Sequence, residues 1–367
     1  MTYLGAVWPL FIEIDRGDIF ATSPDLEHRV RINFRALELI LAASCEGGVD
    51  ISSGRNYDNL LRAGLVKPIK DVRESLPQPW NDWGALAWTF HEWTRGVHFV
   101  ERGSEEMDRL FEKLANKKTP PLTKIQKLKQ SGHIVLLPRV FRDMNVSFKS
   151  VLETRRTHRI FEPLPIRLDD LSTLLHYTFS PIRFADAREF GTVELRASVS
   201  AGARHETTAC VAIFNVEGLN PGLYVYDQIR HGLIPLNESG EREYFESVTA
   251  NQGFNDNSAA TVITVADSSS MSWKYNDARS YRLMMMNVGS LAQTFSMVST
   301  ALGYGAAITG ALDEKSLEKK LGLEVPREIP TFSLTIGIPS RRPDGLPNDY
   351  IAAQTTYLPH SFDGSGC

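Results

Sequence analysis

The chain has 367 residues, 42% of them hydrophobic and 23% charged, with a net charge of −4. This composition excludes a collagen-like, disulfide-scaffold or disordered chain, and it leaves no global cationic surface for nucleic acid. At roughly 100–200 residues per domain, the length suits two domains.

Cys45, Cys210 and Cys367 are far apart and odd in number, and no CxxC or Cys/His ligand spacing occurs. Neither a metal site nor a disulfide framework is expected, only two buried or partly buried thiols and a terminal one in a reduced, cytoplasmic setting. No run approaches the ~20 apolar residues of a membrane helix. Residues 1–18 lack a basic n-region and carry acids where a signal peptide would be apolar. No membrane partner is expected.

In chain order, residues 7–14 alternate as a strand, and FRALELILAA (Phe34–Ala43) carries apolar positions at helical spacing. A second helix over residues 57–63 runs into Gly64 and a short strand toward Pro68. That helix–glycine–strand order resembles the recognition-helix-to-wing junction of winged-helix folds. A DNA-reading helix would present more than Arg55 and Arg62, opposed here by Asp58. A module that binds a peptide or packs on its neighbour fits the charge better.

Residues 70–112 hold Trp80, Trp83, Trp88 and Trp93, read mainly as core with a peptide-docking groove as the alternative. A helix over residues 104–114 follows. From 116 to 132, Lys117, Lys118, Lys124, Lys127 and Lys129 occur with no acid, as in a solvated linker or, alternatively, a basic strip for an acidic peptide. Residues 133–139 read as a strand. These readings give an N-terminal module with its Trp-rich extension (1–115), a linker with a connecting strand (116–145), a main domain (146–342) and a tail (343–367).

In the main domain, β runs at 209–215, 222–227, 260–266 and 331–337 are separated by helices. Residues 279–303 are apolar nearly all round, as in a helix buried on every side at a domain centre or dimer interface.

Four segments of this half resemble the nitroreductase superfamily. They are Thr154-Arg155-Arg156-Thr157-His158-Arg159-Ile160-Phe161, the turn RASVSAGARHE at 196–206, WKYNDARSYRLMMMNVG at 273–289, and residues 303–323 with TFSLTIGIPSRR at 331–342. The Lys274-Tyr275 pair followed by "YR…N.G.L.Q" is similar to the SagB-type branch, azoline oxidases that form thiazole and oxazole rings in ribosomal peptides. Here Arg196–Val199 and Arg204-His205 vary the branch's pattern around the second segment.

The resemblance implies an α+β nitroreductase-like FMN-binding fold, a central antiparallel-rich sheet wrapped by helices, preceded by a winged-helix-like module. It implies FMN as cofactor, a homodimer with the flavin at its interface, a precursor-peptide substrate and cyclodehydratase partner proteins. The tail from Pro343 is expected to reach the partner subunit.

Phosphate recognition needs guanidinium or N–H donors, which Arg155, Arg156, Thr157 and Arg159 offer with Arg341 and Arg342. Ser198, Ser200, Gly202 and Arg204 fall in a turn that lets backbone approach the isoalloxazine. Gly310 completes the set, and Asn287 joins it with Arg282, which either contacts flavin or substrate or makes a structural ion pair.

Lys274 is read as the base and Tyr275 as its partner, with exchange of roles open. Dehydrogenating an azoline requires removal of a carbon-bound proton, and a lysine becomes a base near neutrality only when desolvated or beside other cations. The same fold could instead run an NAD(P)H-dependent reduction of dehydroamino acids or nitro compounds, or hold a silent peptide-binding scaffold. His158, His176, His205 and His231 lack metal or nucleophile spacing and read as structural.

Overall fold

The computed structural model describes residues 3–26, 28–50, 52, 56–96, 100–101, 103–131, 133–187, 192–236, 238–342 and 348. The tail expected to reach a partner therefore lies, Asn348 apart, outside the described residues, as do Arg55 and Cys367. The chain divides into one compact unit of Met1–Val100 with Asp277–Arg279, and a second of Glu101–Asn276 with the residues from Ser280 on.

In the first unit, β1 (Tyr3–Ala6), β5 (Val49–Asp50) and β6 (Val66–Pro68) form one antiparallel sheet with β1 central. A meander of β2 (Phe11–Asp15), β3 (Asp18–Thr22) and β4 (Val30–Ile32) forms another. The single strand expected over 7–14 is thus interrupted, because Pro9 has no N–H to give a ladder. Helix α1 (Phe34–Ala43) starts where Asn33 accepts from the Ala36 N–H at 2.9 Å. Helix α2 (Asp58–Arg62) is followed by Gly64 at φ 71°, so the chain turns straight into β6. Leu4, Ile40, Leu60 and Leu65 make the shared core.

The tryptophans flank a break at Gly84 (φ 89°) between α3 (Trp80–Trp83) and α4 (Ala85–Arg95). Trp80 packs edge-on against Trp83 and Trp88, with ring centroids 5.0 and 5.4 Å away. Core packing does not account for all of them, since Trp83 is 63% exposed. Cys45, expected at least partly buried, is exposed, whereas Cys210 is buried.

The second unit is built on a sheet of order β15-β16-β14-β11-β12-β13-β7, with β8 on the outer part of β16. Its strands are β7 (Val135–Leu136), β8 (Phe161–Glu162), β11 (Thr207–Ile213), β12 (Gly222–Asp227), β13 (Gly232–Pro235), β14 (Ala260–Asp267), β15 (Gly305–Thr309) and β16 (Glu328–Pro339). Every named strand pair is antiparallel. All eight residues of β14 are buried, as a central strand covered on both faces must be. A separate hairpin, β9 (Arg183–Asp186) with β10 (Thr192–Leu195), stands before β11.

Alternation along β11 assigns the two cores. Ala209, Val211 and Ile213 face α8 (Leu168–Phe179) and α11 (Arg279–Ala301), through Leu171, Leu174, Leu291 and Phe295. Cys210 and Ala212 face the opposite layer of α6 (Lys124–Ser131), α9 (Arg242–Val248) and α12 (Glu314–Leu321), through Ile125, Phe245 and Leu317. Each such buried Leu or Phe stabilises by about 1.5–3 kcal/mol. The fold is the α+β antiparallel-sheet architecture expected from the sequence.

Two expectations change. The lysine-rich stretch is not all linker: Ile125 is 3% exposed, anchoring α6 in the second core. Helix α11 is not buried on every side within one chain. Met284, Asn287, Val288, Leu291, Phe295 and Val298 form one buried stripe, while Met286 is 59% and Tyr281 49% exposed. His231 is a structural histidine as expected. Its Nδ1 lies 2.6 Å from the Tyr226 hydroxyl and its Nε2 2.7 Å from Ser172 Oγ, and burial brings its pKa down to about 4.

Candidate active site

A cavity of about 1030 Å³ opens in the second unit at the end of the sheet where β11 begins and β14 finishes. Its walls come from the turn after β10, from α10 (Ser268–Lys274) and from α6.

The turn is pinned by one face of α11. Asn287, Ser290 and Thr294 recur at helical spacing. Asn287 Oδ1 accepts from the Ala201 N–H at 2.9 Å, Ser290 Oγ accepts from the Val199 N–H at 3.3 Å, and Ser198 Oγ donates to Thr294 Oγ1 at 2.8 Å. Ser200 Oγ accepts from the His205 N–H at 3.0 Å. The hydroxyls of Ser198 and Ser200 therefore hold the turn, and the backbone around Gly202 is what lines the cavity. Gly202, Ala203 and His205 all take positive φ (61°, 51° and 45°). For the two residues with a Cβ this costs about 1–3 kcal/mol each, offset by the hydrogen bonds just named. A Cβ at position 202 would fall on the Tyr275 hydroxyl and 2.6 Å from Lys274 Nζ, so a larger residue, strained at that φ, would displace both side-chain ends.

The structure thus brings Gly202, Arg204, Lys274 and Tyr275 together. Lys274 Nζ donates to the Gly202 carbonyl at 3.3 Å and stands 5.7 Å from the Tyr275 ring centroid. Arg204 Nε donates to the Ser270 carbonyl at 3.0 Å, and its guanidinium lies 4.8 Å from the Trp273 ring centroid. Desolvation, aided by the positive charge of Arg204, lowers the Lys274 pKa below the usual lysine value. Desolvation raises that of Tyr275, with Arg204 opposing. The amine is thereby shifted toward acting as a base while the phenol is held as a proton donor.

Other predicted residues stand elsewhere. The Arg155–Arg159 segment crosses the sheet's far end, where Thr157 bridges Ala306 and the His158 N–H donates to the Ala306 carbonyl at 2.9 Å. Strand pairing brings the second arginine box beside it: Pro339 is opposite Phe161, and the Ser340 N–H reaches the Ile160 carbonyl at 3.0 Å, just before Arg341 and Arg342. Ala306 shares a sheet row with Ala260, whereas the turn shares the Asp267 end of β14. Seven residues separate those rows, roughly 24 Å at about 3.4 Å per residue. Within one chain the arginines and the Lys274 cluster do not meet. Gly310 follows β15 and lies against the Phe332 ring, and Arg282 is half-buried on the first turn of α11.

Two cavity residues escaped the sequence reading. Glu206, 5% exposed, accepts from Asn287 Nδ2 at 3.0 Å and from Ser200 Oγ at 3.4 Å, and desolvation raises its pKa. Lys129, from the lysine-rich stretch, donates to Gln228 Oε1 at 2.7 Å. For the first, an acid directly before the apolar run of β11 was the available signal; composition hid the second. Among the described residues no cluster of His, Cys, Asp or Glu could hold a metal, and no helix is long and apolar enough to cross a membrane.

Residues 152–338 match the nitroreductase family. A nitroreductase-like protein of Methanocaldococcus jannaschii is 27% identical over 192 residues, 52% of this chain and 91% of that one. The trifolitoxin operon protein TfxC of Rhizobium leguminosarum bv. trifolii is 21% identical over 312 residues, 81% of this chain and 85% of that one. A solved nitroreductase-like structure from Anabaena variabilis superposes with a TM-score of 0.53 at 19% identity, over 73% of this chain and 50% of that one.

Proposed function

This chain belongs to the nitroreductase family, and from that premise we propose that it is an FMN-dependent dehydrogenase that oxidises azoline rings in a ribosomally made peptide. The observation that carries this reading is the convergence of Lys274 Nζ and the Tyr275 hydroxyl on the cavity side of Gly202. The similarity to a toxin-operon protein over most of the chain supports a biosynthetic setting.

The residues present suit a flavin. The missing Cβ at Gly202 lets the Lys274 amine and the Tyr275 hydroxyl pack against the turn at the cavity wall, where they would border a planar ring system. The arginine pair of boxes at the far end of the sheet offers guanidinium groups for a phosphate. One FMN cannot span both within one chain, so the reading takes a two-fold homodimer in which each site draws its arginines from one protomer and its turn and Lys274 from the other. Met286 and Tyr281, exposed on α11, supply apolar surface for that pairing.

When bound, FMN supplies the two-electron acceptor for the hydride that leaves the ring carbon. Lys274, its ammonium destabilised by desolvation, takes the proton from the adjacent carbon at Nζ. Tyr275 keeps its proton and orients the reacting group by donating a hydrogen bond. Asn287, through Ala201, keeps the turn rigid. Purification tests the cofactor: bound flavin gives a band at about 450 nm, and a colourless protein that takes up no added FMN refutes the proposal.

A further inference from the structure

The end of the cavity away from Lys274 is formed where α6 crosses the first residues of β11 and the turn after β12. Among the described residues, the arginines at this end are engaged by carboxylates. Arg196 holds Glu194 at 2.5 Å, and Arg230 holds Asp227 at 2.7 Å. Lys129 is half-buried, and its ammonium donates only to neutral atoms, Gln228 Oε1 at 2.7 Å and Thr208 Oγ1 at 3.3 Å. An ammonium taken out of water, whose neighbouring carboxylates Asp227 and Glu194 are already held by arginines, is unfavourably placed, and this one is held in position. Its helix is anchored by Ile125, and its carbonyl accepts from Arg230 Nη2.

We propose that this end of the cavity is a carboxylate-binding subsite in which Lys129, with Thr208 and Gln228, takes an acidic group of the substrate. A single ammonium flanked by a hydroxyl and an amide matches a monoanion. A phosphate dianion would call for free guanidinium forks, and here Arg196 and Arg230 are committed to Glu194 and Asp227, whose carboxylates would repel a second negative charge. The carboxylate can come from an acidic side chain or from the end of a peptide. The subsite goes beyond the flavin reading and needs only that the cavity admits substrate.

The test uses the full chain and ligand-observed NMR titration with four probes: N-acetylglutamate α-amide, N-acetylalanine, the neutral N-acetylglutamine α-amide, and inorganic phosphate. Saturable binding of either carboxylate probe is expected, at least about 10-fold tighter than the neutral isostere, as loss of a charge-assisted hydrogen bond predicts. The tighter of the two carboxylates identifies the source. Lys129→Met should lose that preference and Lys129→Arg keep it.

Burial, with smaller effects from Asp227, Cys210, Arg196 and Glu194, lowers the pKa of the ammonium to about 8, and Arg230 holds the backbone carbonyl of the same residue. Wild-type affinity should therefore fall as pH rises from about 7 to 9, while the Lys129→Arg variant stays flat. No saturable carboxylate binding, equal binding by Lys129→Met, phosphate binding as tightly as the carboxylates, or a pH dependence shared by the arginine variant would each overturn the proposal. Should Lys129→Met fail to fold, the pH comparison alone decides. Because the readout is binding, a protein without flavin would leave this inference intact.

Discussion

Replacing Asn287 with alanine removes a side chain through which α11 holds both the cavity turn and Glu206. Asn287 is 8% exposed, its Oδ1 takes the Ala201 N–H, and its Nδ2 serves Glu206 Oε1. Alanine leaves the half-buried Ala201 N–H and the buried Glu206 carboxyl each short of a partner, at about 1–3 kcal/mol apiece. Better helix propensity at a mid-helix site returns about 0.7 kcal/mol. The net loss is about 1–5 kcal/mol, or roughly 3–20 °C in Tm for a unit of this size. Thermal unfolding followed by circular dichroism reads the loss, and FMN titration reads the turn, whose loosening should weaken flavin binding. Asn287→Asp sharpens the test by setting a second carboxyl against Glu206, so its defect should deepen as pH rises. An alanine variant within about 0.5 kcal/mol of wild type, with unchanged flavin affinity, would refute the role given to this residue.

Glu206→Gln should flatten part of the pH dependence of stability. The folded-state pKa of Glu206 is raised by desolvation, so its contribution is present at low pH and is lost as pH climbs through that raised value; matching urea midpoints of variant and wild type across pH 4–8 would contradict this. Lys274→Ala should retain flavin and lower turnover by about 10²–10⁴-fold, whereas unchanged turnover removes the lysine from the chemistry. Met286→Glu should shift the sedimentation coefficient toward a monomer and release flavin together, and a dimer that persists would move the interface elsewhere. Mixing Lys274→Ala with Arg155→Ala protomers should restore about a quarter of wild-type activity, because each heterodimer keeps one intact site. No recovery would mean that both groups serve one site from one chain.

Local signals made much of this legible. The apolar spacing of FRALELILAA gives α1, whose first turn Asn33 caps, and the apolar runs give the central strands, with edges that differ by a few residues. The strand expected over 7–14 failed at Pro9, a residue whose own chemistry predicts the break. Lys129 could not have been found from composition, since a lysine among lysines looks solvated until Ile125 is seen to bury the helix that carries it.

The site residues divide the same way. Lys274, Tyr275, Gly202 and Arg204 meet because β14 runs into α10 beside the start of β11, a juxtaposition set by strand register. The arginine boxes meet each other by pairing of β8 with β16, yet at the opposite end of the sheet. Sequence order gives no hint of that separation, because it depends on which end of a strand each box adjoins.

The central claim, oxidation of an azoline with Lys274 as base, is tested most directly by anaerobic mixing of the flavin-loaded protein with an azoline-containing peptide while the band at about 450 nm is followed. The account predicts bleaching by the peptide, slowed by about 10²-fold or more in the Lys274→Ala variant, with the azole as product. Bleaching by NAD(P)H while the peptide leaves the band unchanged would contradict it.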